Sequence, residues 1–117
     1  METEMNEVTL SVASREDVTN RALLAFNGKA QGSHITFASV ELLWRTLTAK
    51  RWELLKAMTG HGPMSIREAG RRVGRDVKAV HTDVHALLNA GVIERTDDGR
   101  IVFPFDAVHV DFVLSAA

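Results

Sequence analysis

Cysteine is absent from this chain, which removes both a disulfide framework and any thiolate metal site and fits a reducing, cytoplasmic setting. There is no apolar run long enough to span a bilayer, so no membrane partner is expected. The amino terminus, Met1-Glu2-Thr3-Glu4-Met5-Asn6-Glu7, is acidic and polar, the reverse of a secretory leader. Low-complexity tracts and internal repeats are missing, as are a nucleophile elbow, a glycine-rich phosphate loop and carboxylates paired in a motif. These absences argue against an enzyme and against a cofactor. A strong charge of one sign is lacking too, since the net charge of the 117 residues is −1.

The distribution of charge says more than its sum. Residues 49–100 hold ten basic and seven acidic side chains, a net +3, whereas the flanks 1–48 and 101–117 together carry −4. A basic middle between acidic flanks is the asymmetry expected if the middle meets phosphate and the flanks meet something else.

Within that middle the local signals are dense. Ser65 and Glu68 stand three apart, the spacing of a reciprocal capping box, at the head of a short helix that ends at Gly74. Asp76 caps a second helix running from Val77 to Ala90, with Val77, Val80, Val84, Leu87 and Leu88 at helical spacing, and Gly91 ends it. Residues 92–95 and 100–103 then flank Thr96-Asp97-Asp98-Gly99, in which Asp-Gly is a hairpin signal. Helix, turn, helix and hairpin in that order predict a winged helix-turn-helix, whose second helix ordinarily enters the DNA major groove.

Outside this module, residues 7–13 alternate as a strand, and Ser14-Arg15-Glu16-Asp17 reads as the cap of a helix carrying Val18, Ala22, Leu23, Ala25 and Phe26. A loop at 27–32 leads to a second strand at 34–37. Ser39 caps a short helix with Val40, Leu42, Leu43, Trp44 and Leu47, and Thr48 caps another from Ala49 to Thr59, with Trp52, Leu55 and Met58 inward. Both tryptophans read as core. Pro104 ends the hairpin, and residues 108–114 alternate as a last strand. The expected fold class is therefore α+β, a winged helix at 39–104 with an N-terminal strand-helix-strand extension at 1–38 and a C-terminal strand at 105–117. A small isolated sheet is marginal alone. The three outer strands need the winged helix, a second copy of the chain or another protein to cover them, and a homodimer is expected.

The face of the second helix opposite its apolar stripe presents Lys78, Ala79, His81, Thr82, Asp83 and His85. Lys78 and Thr82 share a side, so both could reach base edges, and Ala79 leaves room for a thymine methyl. Ser65, Arg67, Arg71, Arg72 and Arg75 on the first helix and the turn suit phosphate contacts, with Arg95 and Arg100 on the hairpin. The expected DNA-facing set is Ser65, Arg67, Arg71, Arg75, Lys78, Ala79, His81, Thr82, His85, Arg95 and Arg100. His81 and His85 have the i, i+4 spacing of a zinc pair, but no Glu at 82 and no cysteine completes a set, and His34, His61 and His109 lack motif spacing, so no metal is expected.

Residues 37–55, with Leu42-Leu43-Trp44-Arg45 at their centre, together with 65–68, 73–81, 87–92 and 98–106, resemble a family of small prokaryotic transcriptional regulators that is MarR-like in its winged helix. The resemblance covers residues 34–114. It implies binding of double-stranded DNA at the chain's own promoter. Some members resemble the antitoxins of TumE–TumA-type modules, which implies a small toxin protein as partner and an autorepressing antitoxin role. The alternative is a winged helix used only for contact with proteins. Arg67, Arg71, Arg75 and Lys78 separate the two, since only DNA binding needs them exposed and unpaired.

Overall fold

A computed structural model of the chain describes residues 6–12 and 33–112. The helix expected after Ser14 and the loop at 27–32 lie outside the described residues. The fold is α+β. Strands β1 (Glu7–Val12) and β2 (Ser33–Phe37) precede helices α1 (Val40–Thr46), α2 (Ala49–Met58), α3 (Ile66–Val73) and α4 (Val77–Asn89). A hairpin of β3 (Glu94–Arg95) and β4 (Ile101–Val102) follows, then β5 (Ala107–Asp111). No helix among the described residues is long and apolar enough to cross a membrane.

Each described helix begins where a side-chain oxygen takes up an otherwise orphaned backbone N–H. Ser39 accepts from Leu42 at 3.0 Å, Thr48 from Arg51 at 3.4 Å, Ser65 from Glu68 at 3.0 Å and Asp76 from Lys78 at 3.2 Å. The Glu68 side chain does not serve as the second half of a capping box; its oxygens are taken by Arg71 and Arg72. Helix α3 stops at Gly74, whose φ of +67° is left-handed, and its N–H bonds back to Arg71 O at 3.2 Å. Gly91 (φ +75°) ends α4 in the same way.

Strands β2, β1 and β5 form one sheet in that order, and both pairings are parallel. The register aligns Val8 with Val108 and Leu10 with Ile35 and Val110, so the period-two alternation puts the aliphatic residues on one face. Over β1 and β2 that face turns to the helices, while Val110 on the β5 edge stays 40% exposed: Val8, Leu10 and Phe37 join Leu43, Leu47, Leu54, Leu55, Met58, Val80, Val84, Leu87, Ile101 and Phe103 in a single buried cluster. Segment 104–106 ties the sheet down, with Asn6 N–H bonded to the Asp106 carboxylate at 3.0 Å and Gly60 N–H to Phe105 O at 2.9 Å.

The hairpin pairs Glu94 with Val102 and Arg95 with Ile101, and Ile101 also exchanges both backbone bonds with Met64, at 2.9 and 2.8 Å, just ahead of α3. Two inward expectations need correcting. Val77 is 38% exposed because it opens α4, before the helix has wound onto the core. Trp44 is 51% exposed, packed edge-on against Phe112 rather than sunk in the core. Trp52 packs against the core as expected while staying half-buried, and Leu54 joins Leu55 and Met58 as a fully buried residue of α2.

Candidate nucleic-acid interface

Helices α3 and α4 meet at a close approach made possible by Gly70. A Cβ there would stand 3.3 Å from the Arg75 carbonyl and 3.6 Å from Val80 Cγ2, and the Gly70 carbonyl accepts from Arg75 N–H at 3.0 Å. The angle between the helices is further held by an ion-pair hub. Asp83 accepts from Arg75 Nη2 at 2.7 Å and from Arg51 Nε at 3.0 Å, and Arg51 Nη1 also donates to Thr46 O at 2.9 Å. One carboxylate thereby joins α4, the α3–α4 turn, α2 and the end of α1. Burial pushes the Asp83 carboxyl up, but the bonds from Arg75 and Arg51 outweigh it and hold the group below its ordinary range.

This hub corrects two sequence expectations. Asp83 does not lie on the outward face: positions 80, 83, 84 and 87 are the i, i+3, i+4, i+7 stripe that faces the core, so an acid at 83 must turn inward and find cations. Arg75 is not exposed and unpaired. Its side chain is 17% exposed and belongs to Asp83, which needs it as a counter-charge. An acid inside an apolar stripe, with an arginine just before the helix, was the available signal for both.

The remaining site residues sort by partner. Arg71 is 77% exposed but shares the Glu68 carboxylate with Arg72, which bonds it at 2.9 Å. The hydrogen bond from Arg71 is the main cause that holds the Glu68 carboxyl low. Arg71 is therefore exposed but not unpaired. At the hairpin tip Arg100 Nε meets the Asp98 carboxylate at 2.8 Å, and Asp98 is held low by the Thr96 hydroxyl and by Arg100. Arg95 Nη1 donates to Gly99 O at 3.2 Å, bracing the loop from its other strand. Arg67 and Lys78 are exposed and make no ion pair among the described residues. Ser65 is exposed with its hydroxyl engaged as the α3 cap.

On α4 the outward row is Lys78, Ala79, His81 and Thr82, all exposed, with His85 half-buried beside them. Thr82 Oγ1 donates back to Lys78 O at 3.3 Å, and the His81 and His85 Nε2 atoms stand 3.2 Å apart. Asp83 is the one acidic residue within α4, and it points away. Within α4 the outer face therefore carries no acid and is small at Ala79, while at its N-terminal end Lys78 stands beside the exposed capping carboxylate of Asp76.

A largely apolar groove of about 490 Å³ opens elsewhere, between α2 and β5, lined by Trp52, Glu53, Leu55, Lys56, Thr59 and Val108, and no residue of the outward row borders it.

Among known proteins, no curated sequence matches the chain. The profile of the HVO_A0114 family matches residues 46–110, a span that takes in α2, α3, α4, the hairpin and most of β5. With more than half of its length inside that match, the chain belongs to the HVO_A0114 family.

Proposed function

We propose that this protein is a sequence-specific DNA-binding regulator of transcription, with residues 39–104 acting as a winged helix-turn-helix. The observation that carries the reading is the outer face of α4. Its only internal acid is turned into Arg51 and Arg75, which leaves Lys78, Ala79, His81 and Thr82 presented with no acid among them, the nearest being the Asp76 carboxylate that caps the helix. In this reading α4 lies in the major groove, with Lys78, Ala79 and Thr82 at base edges. Ser65, Arg67 and Arg71 contact phosphates from α3, and Arg95 and Arg100 do so from the wing. Arg75 serves as a positioning residue for α4. A cytoplasmic homodimer would place two such helices on half-sites about 34–36 Å apart, as two-fold helix-turn-helix dimers do. By the resemblance to TumE–TumA-type antitoxins, the acidic flanks 1–48 and 101–117 are the surface for a small basic toxin.

A second reading, a protein-contact module that never meets DNA, is favoured by one observation: Arg51, Arg71, Arg72, Arg75 and Arg100 are all matched by acids of the same chain. A gel shift with the DNA upstream of the protein's own gene, at two salt concentrations, separates the two. DNA binding predicts a shift that weakens steeply with salt and that prefers this DNA over a scrambled duplex. Absence of a shift at low salt leaves the protein-contact reading.

A further inference from the structure

Outside the contacts used above, one pair of side chains is arranged as ligands are. His81 and His85 occupy successive turns of α4, and their Nε2 atoms stand 3.2 Å apart while their ring centroids are 4.2 Å apart and the planes are tilted by 38°. The rings lie side by side and lean together at their nitrogen ends. The contact has hydrogen-bond length, with one ring donating and the other accepting according to tautomer. With the proton of each ring on Nδ1, both Nε2 atoms are acceptors held side by side, free to turn onto a shared ion.

The spacing also fits a chelate. Two metal–nitrogen bonds of about 2.0–2.1 Å span about 3.3 Å at a tetrahedral angle and about 2.9 Å at a right angle. The observed 3.2 Å lies between them. We propose that His81 and His85 form a bidentate site for a divalent transition ion of the nitrogen-seeking class (copper, nickel or zinc). Both rings bind through Nε2, and water fills the remaining positions. Three further features suit it. Asn89 continues the row four residues beyond His85 and is exposed, so its amide oxygen can serve as a third ligand. The row runs toward the C-terminal, carbonyl end of α4, where a cation is favoured. His81 is exposed and His85 half-buried, so an ion can reach the pair from solvent. No group of three or more His, Asp or Glu side chains converges among the described residues, so the two imidazoles carry the affinity and the order across metals should follow copper above nickel and zinc. The site rests on the i, i+4 spacing and the Nε2–Nε2 distance; it shares His81 with the proposed DNA-facing row but does not require that reading.

The test uses the full-length, chelator-treated protein without DNA. Nickel chloride is titrated while the imidazole Hε1 resonances are followed by NMR. One ion per chain should broaden the His81 and His85 resonances selectively and leave those of His34, His61 and His109. His81→Ala and His85→Ala should each raise the apparent Kd at least about tenfold, the scale on which even groups behind the ligands matter. His61→Ala should leave it unchanged. Both positions face outward, so the variants should keep the wild-type thermal midpoint; His81→Gln and His85→Gln repeat the test with longer, better helix-forming side chains. Broadening spread over all five histidines, or wild-type affinity in any of the four site variants, overturns the site.

Discussion

At the scale of single residues the decisive group is Asp83. An aspartate on the core-facing stripe of a helix is costly unless its charge is matched, and here two guanidiniums match it at 2.7 and 3.0 Å. Replacing Asp83 with Asn strands both arginines. With side chains 14–19% exposed, water relieves part of the loss, so a cost of about 3 kcal/mol is expected, or about 10 °C in Tm. The pH dependence has a definite sign. The native carboxyl sits below its ordinary range, so the folded chain binds fewer protons than the unfolded one and stability rises with pH. The contribution is complete above the unfolded value of about 4 and disappears as pH falls through the lower folded one. Thermal melts of wild type and Asp83→Asn should therefore differ at neutral pH and converge in strong acid; a constant gap would mean that the hub acts through shape rather than charge. Glu68 acts in the opposite sense on the proposed interface. Glu68→Gln releases Arg71 and Arg72, and under the DNA-binding reading it should tighten binding to all duplexes and steepen the salt dependence by about one unit for each new phosphate contact. Arg67→Ala should flatten it by about one unit, while Lys78→Ala and Thr82→Ala should change preference among operators by roughly 1–3 kcal/mol. Gel shifts on matched and scrambled DNA distinguish these; identical losses for all three alanine variants would contradict the division of roles.

At the scale of elements, what the sequence announces is what neighbouring residues settle among themselves. Ser39, Thr48, Ser65 and Asp76 cap the four described helices because a short side-chain oxygen needs only the next two or three N–H groups to do so. The hairpin follows from Asp98-Gly99, with Gly99 at φ +85°. Met64, by contrast, gives no local sign of its bridge to Ile101, because one residue has no periodicity. Asp83 is drawn inward partly by Arg51, which lies on another helix and leaves no mark in the neighbouring sequence, and Arg75 follows Asp83 into the hub. The turn between α3 and α4 is a place where local chemistry can be isolated. A Cβ on Gly74 would meet nothing within 4 Å, so the whole cost of a side chain there is backbone, at φ +67°. Gly74→Ala should lose about 1 kcal/mol, and Gly74→Asn less, since Asn tolerates the left-handed region. Chemical denaturation of both variants checks this, and an equal loss would point to crowding at the turn instead of the dihedral.

At the scale of the whole molecule, the three outer strands proved to be one parallel sheet, β2-β1-β5, closed around the helices by a pairing between the two ends of the chain. The alternation of each strand was readable, but not its neighbours. Parallel partners are set by long connections, and the aliphatic faces only say that something must cover them. The cover is the helical layer itself, since Val8 and Leu10 are fully buried in the same cluster as Leu54, Val80 and Phe103. A fragment of residues 39–104 would lose Val8, Leu10 and Phe37 from that cluster and would expose its apolar side. The sheet and the helices should therefore unfold as one unit. Leu10→Ala removes a fully buried side chain from the central strand and should cost about 2–5 kcal/mol. The informative readout is where that loss appears. In a Trp44→Phe background the one remaining tryptophan, Trp52, lies on α2, away from the substitution in sequence, and reports on the helical layer. In a single cooperative core, its fluorescence transition should shift to lower denaturant together with the circular dichroism transition, with the slope unchanged. If Trp52 instead unfolds at the wild-type midpoint while part of the dichroism is lost early, the helices hold without the sheet, and the flanking strands are an accessory to the helical unit rather than a part of its core.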